Sequence, residues 1–218
     1  MSEILIKAAL GYLLGSIVGG LLVGRLRGGV DIRKEGSGNA GGTNALRTQG
    51  KAFAFWVLLI DIGKGWIATG LLAAARLPGI AAAPLPWRVW SVAACGIAVM
   101  LGHVYPLWHG FRGGKGVATL VGAVLGAAPL LLIPMLAVWL LVVVLFGFVG
   151  LASILGASAF AAAAAASSVE ARIPLLTFAV ASAVLIACTH RGNIARMLAG
   201  TEPRARRLWL LGAARQRS

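Results

Sequence analysis

Apolar runs long enough to cross a bilayer, which takes about 20 residues, occupy most of the chain and are divided by only a few polar stretches. The pattern predicts helical spans at 4–24, 53–76, 88–107, 116–128, 130–147, 149–167 and 173–190. Residues 117–167 form one apolar region broken only by Pro129, Pro134 and the turn Phe146-Gly147-Phe148-Val149-Gly150, so two long helices or three shorter ones would fit. Charge parity chooses between them. Fifteen of the twenty Lys and Arg lie in segments 25–52, 103–116 and 191–218, and the positive-inside rule puts all three on the cytoplasmic side. Returning residue 191 to that side requires an even number of crossings beyond residue 116, which selects seven spans over six. The expected fold is an all-α integral membrane protein of about seven transmembrane helices with glycine-rich loops on the cytoplasmic face. It forms a single domain over 1–218, with a basic C-terminal tail from about 203 and no transporter-like internal repeat.

Composition agrees with this pattern and removes other classes. The 218 residues are 59% hydrophobic with a mean hydropathy of +0.89, far from a soluble domain. The net charge of +14 would suggest nucleic acid in a soluble protein, but here it follows the membrane sidedness and can meet anionic lipid headgroups. No folded basic reader is visible, so no nucleic-acid partner is expected. Cys95 and Cys188 fall inside apolar segments and indicate packing, not a disulfide or metal site. No His, Cys or carboxylate cluster has metal-ligand spacing, so neither a metal nor another cofactor is expected. The run from Ile4 to Val23 is followed by Gly24-Arg25-Leu26-Arg27 and not by a cleavage site, so it is read as a retained span.

Three polar stretches carry the candidate chemistry. In Gly36-Ser37-Gly38-Asn39-Ala40-Gly41-Gly42-Thr43-Asn44-Ala45-Leu46-Arg47, glycines let backbone N–H groups turn inward, and the sequence becomes helix-compatible at Thr43. On a helix Thr43 and Arg47 are i,i+4 neighbours, a hydroxyl and a guanidinium suited to a phosphate. A flexible loop with Ser37 and Thr43 as ordinary caps is the bland alternative. In Gly110-Phe111-Arg112-Gly113-Gly114-Lys115-Gly116, Lys115 stands at the entrance to an apolar helix. The spacing is not that of a nucleotide P-loop, since Gly110 and Gly114 enclose three residues and Gly116 replaces the magnesium-binding Ser or Thr. Arg112 and Lys115 could instead be interfacial anchors. In His190-Arg191-Gly192-Asn193-Ile194-Ala195-Arg196, continued helix would put His190, Asn193 and Arg196 on one face, directed at the same region as the glycine loops. Asp61 and Lys64, inside the second span at i,i+3, can pair and limit the cost of charge in lipid; their role stays open.

GSGNAGGTNALR, GHVYPLWHGFRGGKGVAT and HRGNIARMLAGTEP resemble, in order and spacing, the three signature blocks of the bacterial acyl-phosphate:glycerol-3-phosphate acyltransferase family (PlsY), over essentially the whole chain. The resemblance implies transfer of a fatty acyl group from acyl phosphate to the sn-1 hydroxyl of glycerol 3-phosphate, giving lysophosphatidic acid for phospholipid synthesis at the cytoplasmic face of the bacterial inner membrane. Gly42 stands where an alanine is usual and Gly192 where an acidic residue is common, which puts a carboxylate role at that last position in doubt.

The candidate catalytic residues are Ser37, Arg47, Lys115, His190 and Asn193. The candidate substrate-binding residues are Gly38, Asn39, Gly41, Thr43, Asn44, His103, Gly113, Gly114, Arg196 and Glu202. Arg47 and Lys115 would bind phosphate and stabilise charge, Ser37, Thr43 and Asn193 would donate hydrogen bonds, and Asn39 and Asn44 would shape the first loop. His103, His190, Glu202 or a substrate phosphate could take the proton. Acyl phosphate, glycerol 3-phosphate and membrane lipid are the expected partners; the oligomeric state is left open and is compatible with a monomer. A transporter of an anionic phosphorylated solute is the competing class, and a membrane adaptor acting through Arg204-Ala205-Arg206-Arg207-Leu208-Trp209 is a third.

Overall fold

The computed structural model describes residues 1–168, 170–205 and 209, and these are all helix, turn or loop, with no strand among them. Among the described residues eleven α-helices follow in order: α1 (Ser2–Gly15), α2 (Gly19–Leu26), α3 (Gly42–Thr48), α4 (Lys51–Trp66), α5 (Leu85–Arg88), α6 (Trp90–Val104), α7 (Val117–Ala127), α8 (Leu132–Phe146), α9 (Val149–Ala166), α10 (Arg172–Thr189) and α11 (Arg191–Leu198). A π-helical turn, Ile67–Leu72, extends α4. The chain divides into two compact units, Met1–Pro129 and Leu130–Ser218.

Among the described residues five helical stretches are long and apolar enough to cross a membrane, and a sixth is reached by counting the α1–α2 pair, bent by 45°. The region expected to supply a seventh is α7, whose 11 residues rise only about 16 Å against a hydrocarbon core of about 30 Å. The region 117–167 does resolve into three helices, because Pro129 and Gly147 end helical runs where the backbone must change direction. The first span differs from the continuous helix expected over 4–24. It breaks at Ser16–Val18, between Gly15 and the Gly19-Gly20 pair.

In lipid there is little hydrophobic force between helices, so contact depends on how closely backbones can approach. In the first unit Gly15 of α1 lies against the Val99 carbonyl of α6, and Gly102 lies against the Tyr12 carbonyl, each so close that a methyl group would collide. A second seam joins α4 to α7, with Gly65 against the Thr119 carbonyl and Gly122 against the Ile62 carbonyl. Thr69 Oγ1 donates to the Ala123 carbonyl across it at 2.8 Å.

The break in α1–α2 exposes backbone groups that lipid cannot satisfy, and α4 supplies their partners. Lys64 Nζ donates to the Gly15 and Ile17 carbonyls at 2.8 and 2.7 Å, and Asp61 Oδ1 accepts from Gly19 N at 3.0 Å. The two side chains also pair with each other at 3.1 Å.

In the second unit α8 and α9 are antiparallel neighbours, and α9 also packs on α10 with Phe160 and Phe178 edge to face, centroids 5.6 Å apart. The chain after α11 returns to the α8–α9 turn. Ala205 N donates to the Gly147 carbonyl at 2.8 Å, Trp209 Nε1 donates to the Leu145 carbonyl at 3.1 Å, and the Arg204 guanidinium lies between the Phe148 and Trp209 rings. The remainder of the basic tail, 206–208 and 210–218, lies outside the described residues.

Candidate active site

Two polar loops leave the helices of the first unit. The first starts at Asp31, which caps a single 3-10 turn, Ile32–Lys34, by accepting from Arg33 N at 3.1 Å. Its carboxylate also grips the Arg33 side chain through both oxygens, Nε to Oδ1 at 2.9 Å and Nη2 to Oδ2 at 2.8 Å. Those hydrogen bonds hold the Asp31 carboxyl down at about 2, against a desolvation that pushes the other way, and raise Arg33 further.

Asn44, buried in α3, organises the rest of this loop. Its Nδ2 donates to the carbonyls of Ile32, Asn39 and Glu35 at 2.8, 2.9 and 3.1 Å, and its Oδ1 accepts from Ser37 N at 2.9 Å. Gly36 makes this possible: its φ of +57° is left-handed, and a methyl there would collide with Asn44 Oδ1. Asn39 Oδ1 then accepts from Gly41 N at 2.9 Å, where α3 begins. Around this asparagine frame Ser37, Gly38, Thr43 and Arg47 are exposed, the last two one turn apart on α3. The helix N-cap is Gly41, so Ser37 and Thr43 are not caps. An alanine methyl at position 42 would meet only the end of the exposed Leu58 side chain, which can turn away, so nothing in the backbone here requires Gly42.

The second loop leaves α6 at His103–Val104. Gly110 and Phe111 both have positive φ, +62° and +58°, reversing the chain so that Gly113 N and Gly114 N donate to the Val104 and His103 carbonyls at 3.0 and 3.1 Å. These two amides therefore satisfy the end of α6, and what the two glycines supply is close approach. A methyl on Gly113 would strike the His103 carbonyl, and one on Gly114 would strike His103 Nε2. Lys115 is half-buried just before Gly116, the N-cap of α7. The first amides of α7 have no intrahelical acceptor, and the helix dipole favours an anion beside them. His103 itself is buried, with Nδ1 at 2.8 Å from Lys64 Nζ and 3.3 Å from Asp61 Oδ1.

Arg33 joins the two loops. Its Nη1 donates to the carbonyls of Arg112 at 2.8 Å and His109 at 3.1 Å while Asp31 holds its other edge. Sequence reasoning passed over Arg33, although Asp31-Ile32-Arg33 lies immediately ahead of the first block.

The third block belongs to the second unit. The helix is not continuous there: His190 sits at the joint between α10 and α11. Its Nδ1 is 2.8 Å from the Ile186 carbonyl, which can only accept, so Nδ1 carries the proton and in the neutral ring Nε2 holds the lone pair. Glu202 gathers the other members. Its Oε1 accepts from Asn193 Nδ2 at 2.5 Å and its Oε2 from Arg196 Nε at 2.7 Å. Asn193 is buried against Gly150 of α9, where a methyl would strike it. With both carboxylate oxygens engaged, Glu202 holds Asn193 and Arg196 in place.

A family model for glycerol-3-phosphate acyltransferase matches residues 5–200. The chain belongs to the glycerol-3-phosphate acyltransferase family. Among the acyltransferases of this family, it is 41% identical over 205 residues to a glycerol-3-phosphate acyltransferase of Synechococcus sp. (strain JA-3-3Ab), covering 94% of this chain and 95% of that one. It is 43% identical over 200 residues to that of Geobacter sulfurreducens, covering 92% and 96%. The fold matches crystal structures of PlsY, an integral membrane glycerol 3-phosphate acyltransferase. For the glycerol 3-phosphate form the TM-score is 0.81 at 34% identity, covering 94% of this chain and 96% of that one. For the lysophosphatidic acid form it is 0.79 at 33%, covering 94% and 95%. The family assignment and the apolar helices together make this chain a multi-pass integral membrane acyltransferase.

Proposed function

We propose that this protein transfers a fatty acyl group from acyl phosphate to the sn-1 hydroxyl of glycerol 3-phosphate, forming lysophosphatidic acid and inorganic phosphate at the cytoplasmic face of the bacterial inner membrane. The observation that carries the reading is the whole-length match to an acyltransferase solved in forms named for glycerol 3-phosphate and lysophosphatidic acid. The acyl-phosphate donor and the membrane face are supported by the three sequence blocks and by the clustering of basic residues in the segments that contain them.

The substrate hydroxyl attacks the acyl carbon, the bond from that carbon to the phosphate oxygen breaks, and phosphate departs with the electron pair. Phosphate is a good leaving group, so no covalent enzyme intermediate is required. Exposed Arg47 and Thr43 on α3, with Ser37 beside them in sequence order on the loop, offer a guanidinium and two hydroxyls to a phosphate. Lys115, ahead of α7, offers an ammonium next to the positive end of a helix dipole. Fixed donors of this kind stabilise the charge that builds on the acyl oxygen and the leaving phosphate. In the second unit His190, with Nδ1–H held by the Ile186 carbonyl, has the tautomer of a proton acceptor, while Asn193 and Arg196, oriented by Glu202, are assigned to hydrogen bonding and phosphate. The other route for the hydroxyl proton is a substrate phosphate oxygen.

The test is acyl transfer by the purified protein in lipid, with labelled glycerol 3-phosphate and acyl phosphate, acyl-CoA or acyl carrier protein offered in parallel, for wild type and Lys115→Ala. Product from acyl phosphate alone, lost in the variant, is expected. Product from a thioester donor would overturn the donor assignment, and tight glycerol 3-phosphate binding without turnover would favour transport.

A further inference from the structure

Three ionisable side chains lie buried where α1–α2, α4 and α6 meet, and none is needed to touch substrate in the mechanism above. Asp61, Lys64 and His103 are 0%, 3% and 2% exposed. An ammonium has three protons, and the three nearest acceptors of Lys64 Nζ are Ile17 O at 2.7 Å, Gly15 O at 2.8 Å and His103 Nδ1 at 2.8 Å, with Asp61 Oδ1 further away at 3.1 Å. Two protons thus mend the break in the first span and the third goes to the imidazole. Nδ1 is then the acceptor, and the neutral ring of His103 carries its proton on Nε2.

That assignment matters because of what the ring abuts. The Nε2 edge lies against the backbone of Gly114, too close for any β-carbon, and the His103 carbonyl accepts from Gly114 N at 3.1 Å. Lys64 therefore fixes the rotation of a ring that serves as the seat of Gly113-Gly114-Lys115. The same cluster reaches the first loop from its other side. Asp61 Oδ1 caps α2 through Gly19 N, and the next residue, Gly20, packs on the Ala40 carbonyl and on Ile32 with no room for a methyl. One buried cluster is thus in contact with the scaffolds of both polar loops.

We propose that Lys64, acting through His103 and together with Asp61, is a positioning residue for acyl transfer: the cluster sets the relation of the Gly113-Gly114-Lys115 turn to the Gly36–Arg47 loop. His103 is on this account a positioning residue and not a substrate contact. The inference rests on the acyl-transfer reading, and wild-type activity from acyl phosphate separates the two: without it that reading fails, and with it the variants below test this one.

Steady-state kinetics for both phosphate substrates and thermal unfolding would be measured in lipid nanodiscs for the wild type, the double variant Asp61→Asn/Lys64→Met and His103→Asn. The double variant removes both charges together, so neither is left buried alone. In His103→Asn an amide oxygen near the former Nδ1 keeps Lys64 partnered, while the edge that seats Gly114 is gone. His103→Asn is expected to melt within about 3 °C of wild type, whereas the double variant, which leaves the Gly15 and Ile17 carbonyls without their donor, is expected to melt lower. Both, once folded, are expected to lose about tenfold or more in kcat/KM, chiefly through a higher KM for at least one phosphate substrate. A purely structural cluster would leave the kinetics of the folded protein unchanged in both variants, whatever the change in melting temperature. Folded variants with kinetic constants within about threefold of wild type would overturn the proposal. Should the double variant fail to fold, His103→Asn decides alone; if it too fails to fold, the cluster is structural and the proposal falls.

Discussion

Replacing Asn44 by alanine removes the frame of the first loop and leaves its exposed chemistry in place. The side chain is 3% exposed. Its Nδ2 has only two hydrogens, shared among the carbonyls of Ile32, Asn39 and Glu35, and its Oδ1 takes one more from Ser37 N. The substitution thus loses the equivalent of three hydrogen bonds at about 0.5–1.5 kcal/mol each, or about 1.5–4.5 kcal/mol, and water reaching the opened loop moves the loss toward the lower end. With tenfold in a population for about every 1.4 kcal/mol, a loop that must be ordered to hold phosphate should lose about 10- to 100-fold in kcat/KM for glycerol 3-phosphate. Melting should change little, because the loss is local and the helix seams are untouched. The assay is acyl transfer in nanodiscs at varied glycerol 3-phosphate, with tryptophan fluorescence to follow unfolding. Asn44→Asp is the sharper companion: it keeps an oxygen toward Ser37 N but turns a second one on three carbonyls, and should be at least as damaging. An Asn44→Ala protein with kinetic constants within about threefold of wild type would refute the idea that this side chain orders a catalytic loop.

Four further outcomes follow from contacts described above. Arg33→Lys replaces a fork that holds Asp31 through Nε and Nη2 and two carbonyls through Nη1 with a single point of donation, and should lower kcat/KM by about tenfold, with Arg33→Ala lower still. Because the Asp31 carboxyl is depressed from 3.8 to about 2, the pair's contribution is complete above the unfolded value and disappears as pH falls through the folded one. Activity between pH 6 and 8, about the physiological range, should show no inflection from it. Glu202→Gln must turn an amide NH2 toward either Asn193 Nδ2 or Arg196 Nε, and loss of a charge-assisted hydrogen bond of about 1.5–3 kcal/mol predicts a fall of about 10- to 100-fold in turnover, read in a single-turnover assay. Gly122→Leu drives a side chain into the Ile62 carbonyl at the α4–α7 seam. It should lower the melting temperature sharply, and normal melting would show that the seam can yield.

The blocks around Ser37, Lys115 and His190 were legible because the backbone of a polar, glycine-rich stretch in an apolar chain cannot be satisfied by lipid and has to line a site or meet water. The pairing of Asp61 with Lys64 was legible from their spacing alone, and so was the loop-shaping part of Asn39 and Asn44. The break in the first span was not: Gly15-Ser16-Ile17-Val18-Gly19 keeps the hydropathy of a continuous helix, and its cost is met by groups 42 to 49 residues away in the chain. Arg33 was missed for a related reason. Its backbone-carbonyl partners at His109 and Arg112 carry no residue-type signature, so nothing in the sequence links them to it.

By itself the sequence determined the membrane class, the placement of the long helices and the chemistry available in three polar blocks, since hydropathy over a bilayer-length window and residue type are local properties. Tertiary structure decided how that chemistry is held. Close helix contact depends on which glycine meets which carbonyl, and whether a loop amide is offered to substrate or spent on a helix end depends on where the chain turns. A buried ammonium likewise acquires its role from acceptors brought to it by the broken first span and by α6. These are distances between remote residues, and no pattern along the chain encodes them directly.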